Sequence, residues 1–144
     1  MSRTIVKRSD CPISFSLDIF GDKWSLLVLR DIMFKGKRTY GEFAASEEKM
    51  ATNILADRLA LLETAGMLLR STDKKKKTRI IYSLTKKSLD LMPVLIEIIQ
   101  WAAKYDKHTA APKEFVNPIK RDKKKLIKEL TDGLKKEQSG VGDK

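Results

Sequence analysis

Four consecutive lysines, Lys74, Lys75, Lys76 and Lys77, separate two segments rich in β-forming residues, MLLRST before them and RIIYSLT after. Ammonium groups at that spacing repel one another, so the run belongs either in bulk solvent or against an anion. Arg79 adds a further cation at the edge of the second segment. A solvated loop and a loop that reaches phosphates both satisfy this pattern, and the surrounding elements must decide between them. Catalytic chemistry has little to work with. His108 is the single histidine, in a polar connector without cysteine or carboxylate neighbours at metal-ligand spacing, and neither a Gly-rich phosphate loop nor a nucleophile elbow is present. No enzyme, no cofactor and no metal are expected.

The chain has 144 residues, about one domain by length, and 42% apolar residues supply a core. Thirty Lys and Arg against 19 Asp and Glu leave a net charge of +11, which favours a polyanionic partner, nucleic acid ahead of an anionic membrane. No apolar run approaches the roughly 18 residues that cross a bilayer, and MSRTIVKRSDCP lacks the apolar core of a signal peptide. The lone cysteine, Cys11, cannot close an internal disulfide, so a reducing, cytoplasmic location is expected.

Composition divides the chain into an N-terminal arm (1–10), a periodic body (11–105), a breaker-rich connector (106–118), and a basic helix with a frayed end (119–144). Within the body, Pro12 suits the first turn of a short helix that stops at Gly21. Trp24, Leu27, Val28 and Ile32 form an apolar stripe behind Asp22, a natural N-cap. Thr39 and Glu42 stand at capping-box spacing before a third short helix. From Met50 to Ala65, Leu55, Leu59 and Leu62 line one face, with Asn53, Asp57 and Ala60 opposite. Two short helices across a tight polar turn read either as a helix-turn-helix or as a plain helical hairpin. The strands around the lysine run favour the first, because a hairpin after a helix-turn-helix reaches neighbouring phosphates or the minor groove. The loop between them lacks a tight-turn dipeptide and is expected to be long and mobile. Beyond Thr85, a long segment is apolar on more than one face and carries Pro93, so a break near Leu89 and a partner subunit are expected.

These residues, CPISFSLDIFGDKWSLLVLRDIMFKGKRTYGEF, LADRLALLETAGMLLR and YSLTKKSLDLMPVLIEIIQWA, resemble the HxlR-type family of bacterial transcriptional regulators, relatives of the MarR-like winged-helix proteins. The resemblance runs from about Cys11 to Tyr105 and carries, in order, the Cys-Pro start, the Gly-Asp-Lys-Trp segment, the Arg-x-Tyr-x-Glu turn, the Leu-Glu-x-x-Gly helix end and the Tyr-Ser-Leu-Thr strand. It implies a mainly α fold with a small β-hairpin, a winged helix-turn-helix flanked by dimerisation helices, acting as a homodimer on a palindromic operator in double-stranded DNA. Three departures stand out: Ser88 where the family usually has glycine, Met50-Ala51 in place of Ile-Ser, and Asp57 on the face turned to DNA. Ser88 should affect only local packing, and Thr52 is expected to replace the missing hydroxyl as cap or phosphate contact.

Geometry and resemblance together nominate Thr52, Asn53 and Arg58 on the recognition helix, Arg38 as a phosphate anchor, and Lys74–Lys77 with Arg79 on the wing. Arg58 could instead pair with Asp57 or Glu63. The resemblance also implies a sensing role for Cys11, with an oxidant or small electrophile as effector. Helix N-terminal amides and nearby Lys7 and Arg8 favour its thiolate, whereas an inert thiol at a dimer interface is the competing reading. A non-specific architectural or RNA-binding winged helix is the alternative function, a protein-interaction module the next. A weakly amphipathic basic tail, expected to be interrupted at Gly133, leaves extra DNA contact, a dimer embrace, a solvated extension and a membrane surface open, the last with an apolar face poor in aromatics.

Overall fold

A computed structural model describes residues 4–106, 108 and 113–142. Helices α1 (Pro12–Phe20), α2 (Ser25–Lys35), α3 (Tyr40–Ala44) and α4 (Thr52–Thr64) precede strands β1 (Leu68–Thr72) and β2 (Ile80–Leu84). Helices α5 (Lys86–Leu89), α6 (Met92–Tyr105) and α7 (Lys113–Gly142) follow. The chain forms two compact units, Met1–Ser88 and Leu89–Lys144.

In the first unit, the apolar stripes of α2 and α4 converge. Val28, Leu29 and Ile32 from α2, Phe43 from α3, Leu55, Leu59 and Leu62 from α4, and Leu68 from β1 are all buried. Burying a Leu, Ile or Phe side chain contributes roughly 1.5–3 kcal/mol, so this shared core fixes the angle at which α4 is presented. Asp22 is not the N-cap expected of it: Trp24 holds that position, and Asp22, two residues earlier, braces the start of α2 by accepting from the Trp24 and Ser25 amides at 2.7 and 2.8 Å through Oδ1. At the far end of α4, Gly66 takes φ +75°, its amide reaches Glu63 O at 3.0 Å, and the Met67 amide reaches Leu62 O at 2.8 Å. This Schellman closure needs the left-handed backbone that glycine tolerates.

The strands pair antiparallel with Leu68 opposite Leu84 and Arg70 opposite Tyr82. Tyr82 and Leu84 face the core, as the alternation in RIIYSLT predicts. The Tyr82 amide also donates to Arg38 O at 2.8 Å, tying the hairpin to the chain just before α3. Ser88 is buried, its hydroxyl accepting from the Thr85 amide at 2.9 Å and its amide donating to Thr85 Oγ1 at 3.2 Å. The two residues form a reciprocal pair at the start of α5.

In the second unit, Pro93 occupies the first turn of α6, and the chain breaks between Leu89 and Met92 as anticipated. Helix α7 corrects two expectations. It begins at Lys113 inside the expected connector, carries Pro118, and continues as helix to Gly142 where fraying was expected. Its discontinuity lies at Asp122 (φ −157°, ψ 87°), not at Gly133. Asp122 Oδ1 accepts from the Lys125 amide at 3.2 Å and so caps the second half. Packing on α6, burial of Ile119 and a Lys123–Glu97 ion pair offset the hydrogen bond lost at Pro118. Residues 143–144 of the expected frayed end lie outside the described residues.

Candidate nucleic-acid interface

The expected capping box forms at α3. Glu42 N donates to Thr39 Oγ1 at 3.3 Å, and Thr39 N donates back to Glu42 Oε1 at 3.1 Å. The Arg38 amide donates to the same oxygen at 3.1 Å. That bond, with those from Thr39, holds the Glu42 carboxyl below its ordinary range against a smaller opposing effect of burial.

The turn between α3 and α4 is held by a polar cluster that the sequence pattern did not reveal. Asp31, almost fully buried, accepts from the Ser46 hydroxyl and, at 2.7 Å, from Arg30 Nη2. Lys37 Nζ donates to Ser46 Oγ at 2.7 Å. Arg30 also grips Glu48 through both terminal nitrogens, at 2.5 and 2.9 Å. This bidentate contact pulls the Glu48 carboxyl down to about 2 and raises the Arg30 guanidinium. Lys49, at φ +53°, completes the turn. A buried carboxylate is tolerated only with such partners.

Helix α4 starts at Thr52 without a side-chain cap; Ala51 offers none, and Thr52 does not act as one. Instead Tyr40 Oη donates to Thr52 O at 2.9 Å. With Leu55, Leu59 and Leu62 buried, the opposite side exposes Thr52, Asn53 and Ala56. An open groove of about 490 Å³ runs from that side to the hairpin, lined by Tyr40, Ala56, Ala60, Glu63, Arg70 and Tyr82. Arg70, exposed on β1, is a cation that sequence reasoning passed over; its place four residues before Lys74 was the available signal.

Lys74, Lys75, Lys76 and Lys77 are exposed at the hairpin tip. The loop is long, as expected, but it is organised, which the expectation of a mobile loop did not include. Asp73 closes it: Oδ1 accepts from the Lys75 amide at 2.9 Å, Oδ2 from Arg79 Nε at 2.8 Å, and its own amide reaches Arg79 O at 2.8 Å. The Lys75 amide bond, then the Arg79 contact, lower the Asp73 carboxyl from its ordinary value. Aspartate after a strand is a common turn former, so this role was open to inference.

Arg38 lies against its own backbone, with Nη1 donating to Ile32 O at 3.0 Å and Lys37 O at 2.9 Å. Arg58 is mostly covered and stands 3.4 Å from Asp22 Oδ2 and 3.4 Å from Asp57 Oδ2. Cys11 is exposed at the start of α1, before Pro12. The cations near it in sequence have carboxylate partners: Lys7 with Asp10 at 3.2 Å, and Arg8 with Asp18 at 2.5 Å. His108 is exposed, its amide bonded to Asp106 Oδ1 at 3.0 Å. Among the described residues no cluster of three or more His, Cys, Asp or Glu could hold a metal, and no helix is long and apolar enough to cross a membrane.

A short helix, a turn held by buried polar contacts, a second helix exposing one side, and a cation-tipped antiparallel hairpin define the winged helix-turn-helix class. Residues 19–110 match the family model described as HxlR-like helix-turn-helix, and the chain belongs to that family of helix-turn-helix transcriptional regulators. It is 40% identical over 86 residues to sll1512, an uncharacterized HTH-type transcriptional regulator of Synechocystis sp.; the match spans 60% of this chain and 63% of that relative. Among solved structures, PA1607, a candidate transcription factor, superposes with a TM-score of 0.64 at 36% identity, over 74% of this chain and 72% of its own. The reduced form of the redox regulator HypR superposes with a TM-score of 0.58 at 26% identity, over 65% and 92%.

Proposed function

We propose that the protein is a sequence-specific regulator that binds double-stranded DNA as a homodimer, with α4 in the major groove and the β1–β2 loop on phosphates or in the minor groove. The observation that carries this reading is the arrangement of α4. Its leucine row is locked in the core, while Thr52, Asn53 and Ala56 face outward beside a groove that leads to the lysine-tipped hairpin. Asn53 is the base reader, since its amide can bond adenine bidentately, and Thr52 donates to a base edge or phosphate. Lys74–Lys77 and Arg79 contact the sugar-phosphate rail, and Arg38 anchors the chain before α3.

Homodimerisation is supported by α6. Val94, Ile98, Trp101 and Tyr105 recur at spacings of four, three and four, and all are exposed, whereas Met92, Leu95 and Ile96 on another face are buried. On α1, Ile13 and Leu17 are likewise exposed. A two-fold dimer covers such stripes and presents two copies of α4 to half-sites about one helical turn apart. Trp101→Glu is expected to shift the species seen by sedimentation from dimer to monomer.

Cys11, exposed at a helix start, is the proposed contact for an oxidant or small electrophile, in line with the likeness to a redox regulator. With one cysteine per chain, oxidation ends in an intersubunit disulfide, a mixed disulfide or an adduct. Mass spectrometry after mild peroxide or quinone, with DNA binding by wild type and Cys11→Ser, tests this; identical binding in every condition retires it.

Competition binding tests the main reading. A regulator prefers its palindromic site to bulk duplex by about 10³-fold or more, whereas equal affinity for both marks an architectural protein.

A further inference from the structure

Arg58 lies on α4 one residue after Asp57, yet only 23% of its side chain is exposed. Its Nη1 stands 3.4 Å from Asp22 Oδ2 and its Nη2 3.4 Å from Asp57 Oδ2, so the guanidinium lies between two carboxylates from separate parts of the first unit. The remaining nitrogen, Nε, is buried without a hydrogen-bond partner. Asp22 is itself fixed, because it also accepts from the Trp24 and Ser25 amides and, at 2.6 Å, from the Ser25 hydroxyl. Burial pushes the Asp22 carboxyl up, but these bonds together with the Arg58 charge leave it below its ordinary value.

Asp57 shares the face of α4 that carries Asn53 and Ala60, four and three residues away, and 43% of its side chain is exposed. A carboxylate there repels phosphates unless a cation offsets it. We infer that Arg58 acts from inside the protein, as the counter-ion that offsets Asp57 on the recognition face and clasps α4 to the α1–α2 loop, without touching nucleic acid. To reach DNA, the side chain would have to leave both carboxylates and turn Asp57 toward the phosphates without this partner. This inference rests on the DNA-binding reading and assigns Arg58 a positioning role, distinct from the base or phosphate contact expected from the sequence.

The test uses the full chain and a duplex that the wild-type protein selects from a random-sequence pool. Arg58→Met is expected to bind about tenfold more weakly, because the Asp57 charge then meets phosphates without this counter-ion. Asp57→Asn should bind at least as well as wild type, and Arg58→Met/Asp57→Asn should return to within about threefold of Asp57→Asn. The slope of log affinity against log salt should be the same for all of them, because no phosphate contact is lost. Arg58→Lys keeps the charge and the fold and should stay within about threefold of wild type, so the prediction holds even if Arg58→Met does not fold. The inference is overturned if the double variant remains as weak as Arg58→Met. It is equally overturned if Arg58→Lys loses about tenfold and relaxes base preference, as a bidentate reader would. A flat salt titration of the wild-type protein sinks the DNA reading itself, and this inference with it.

Discussion

The outward side of α4 and the tip of the β1–β2 hairpin border the same part of the molecule but differ in how they treat charge. Along α4, Thr52, Asn53 and Ala56 are uncharged, and the arginine that follows is engaged by two carboxylates. At the hairpin tip four lysines stand exposed, and Asp73 beside them serves to close the loop. A helix that must discriminate bases gains from neutral hydrogen-bonding groups, whereas a loop that must hold a phosphate rail gains from exposed cations. On the proposed DNA-binding reading, the contrast would leave sequence choice to one element and most of the affinity to the other.

The largest effect should come from the hairpin. Replacing Lys75, Lys76 and Lys77 with alanine should lower affinity for every duplex alike, by about 10²–10³-fold near physiological salt, and reduce the salt slope by roughly 0.9 per lost contact. An unchanged slope in anisotropy titrations would take the hairpin off the DNA. Asn53→Ala should act in the opposite pattern. Affinity for the preferred site should fall by about 1–3 kcal/mol, while binding to random duplex and the salt slope stay the same. If both variants lose affinity uniformly, the division of labour between the two elements is wrong.

Two smaller effects concern what holds these elements in place. Asp31→Ala leaves Ser46 and Arg30 without their shared acceptor and should lower stability by about 2–4 kcal/mol in urea unfolding, with weaker operator binding as a consequence. Glu48 should show its effect in acid. Its carboxyl falls from the ordinary 4.5 to about 2 because Arg30 bonds it, so its contribution is complete above 4.5 and is lost as pH drops toward 2. Glu48→Gln should therefore reduce Tm slightly at neutral pH and flatten the loss of Tm between pH 4.5 and 2. The effect is modest because the pair is still partly reached by solvent, which screens it.

Much of the scaffold was legible without coordinates. Thr39 with Glu42 announced a capping box, Asp22 a helix start, Pro93 a break before α6, and the alternation at Ile80–Leu84 a half-buried strand; each depends on residues within one turn or one pleat of each other. The exposed side of α4 was legible in outline, since a leucine row implies which side is left outside. The pairing of Arg58 with Asp22 was not legible, nor were the bonds of Arg38 to the carbonyls of Ile32 and Lys37. Asp31 looked like an ordinary helix residue until Ser46, Lys37 and Arg30 closed around it. Helix α7 was misread at its start and at Gly133 because local breakers were weighed without the burial of Ile119 and Leu134 that outweighs them.

The order of amino acids alone determined the elements up to α6, the cationic loop and the family resemblance, since periodicity, caps and turn residues act over a few positions. Only the tertiary structure decided which charges remain turned to solvent and which are already matched. An ion pair forms between groups that folding brings within a few ångströms, and its partner is set by packing geometry rather than by distance along the chain.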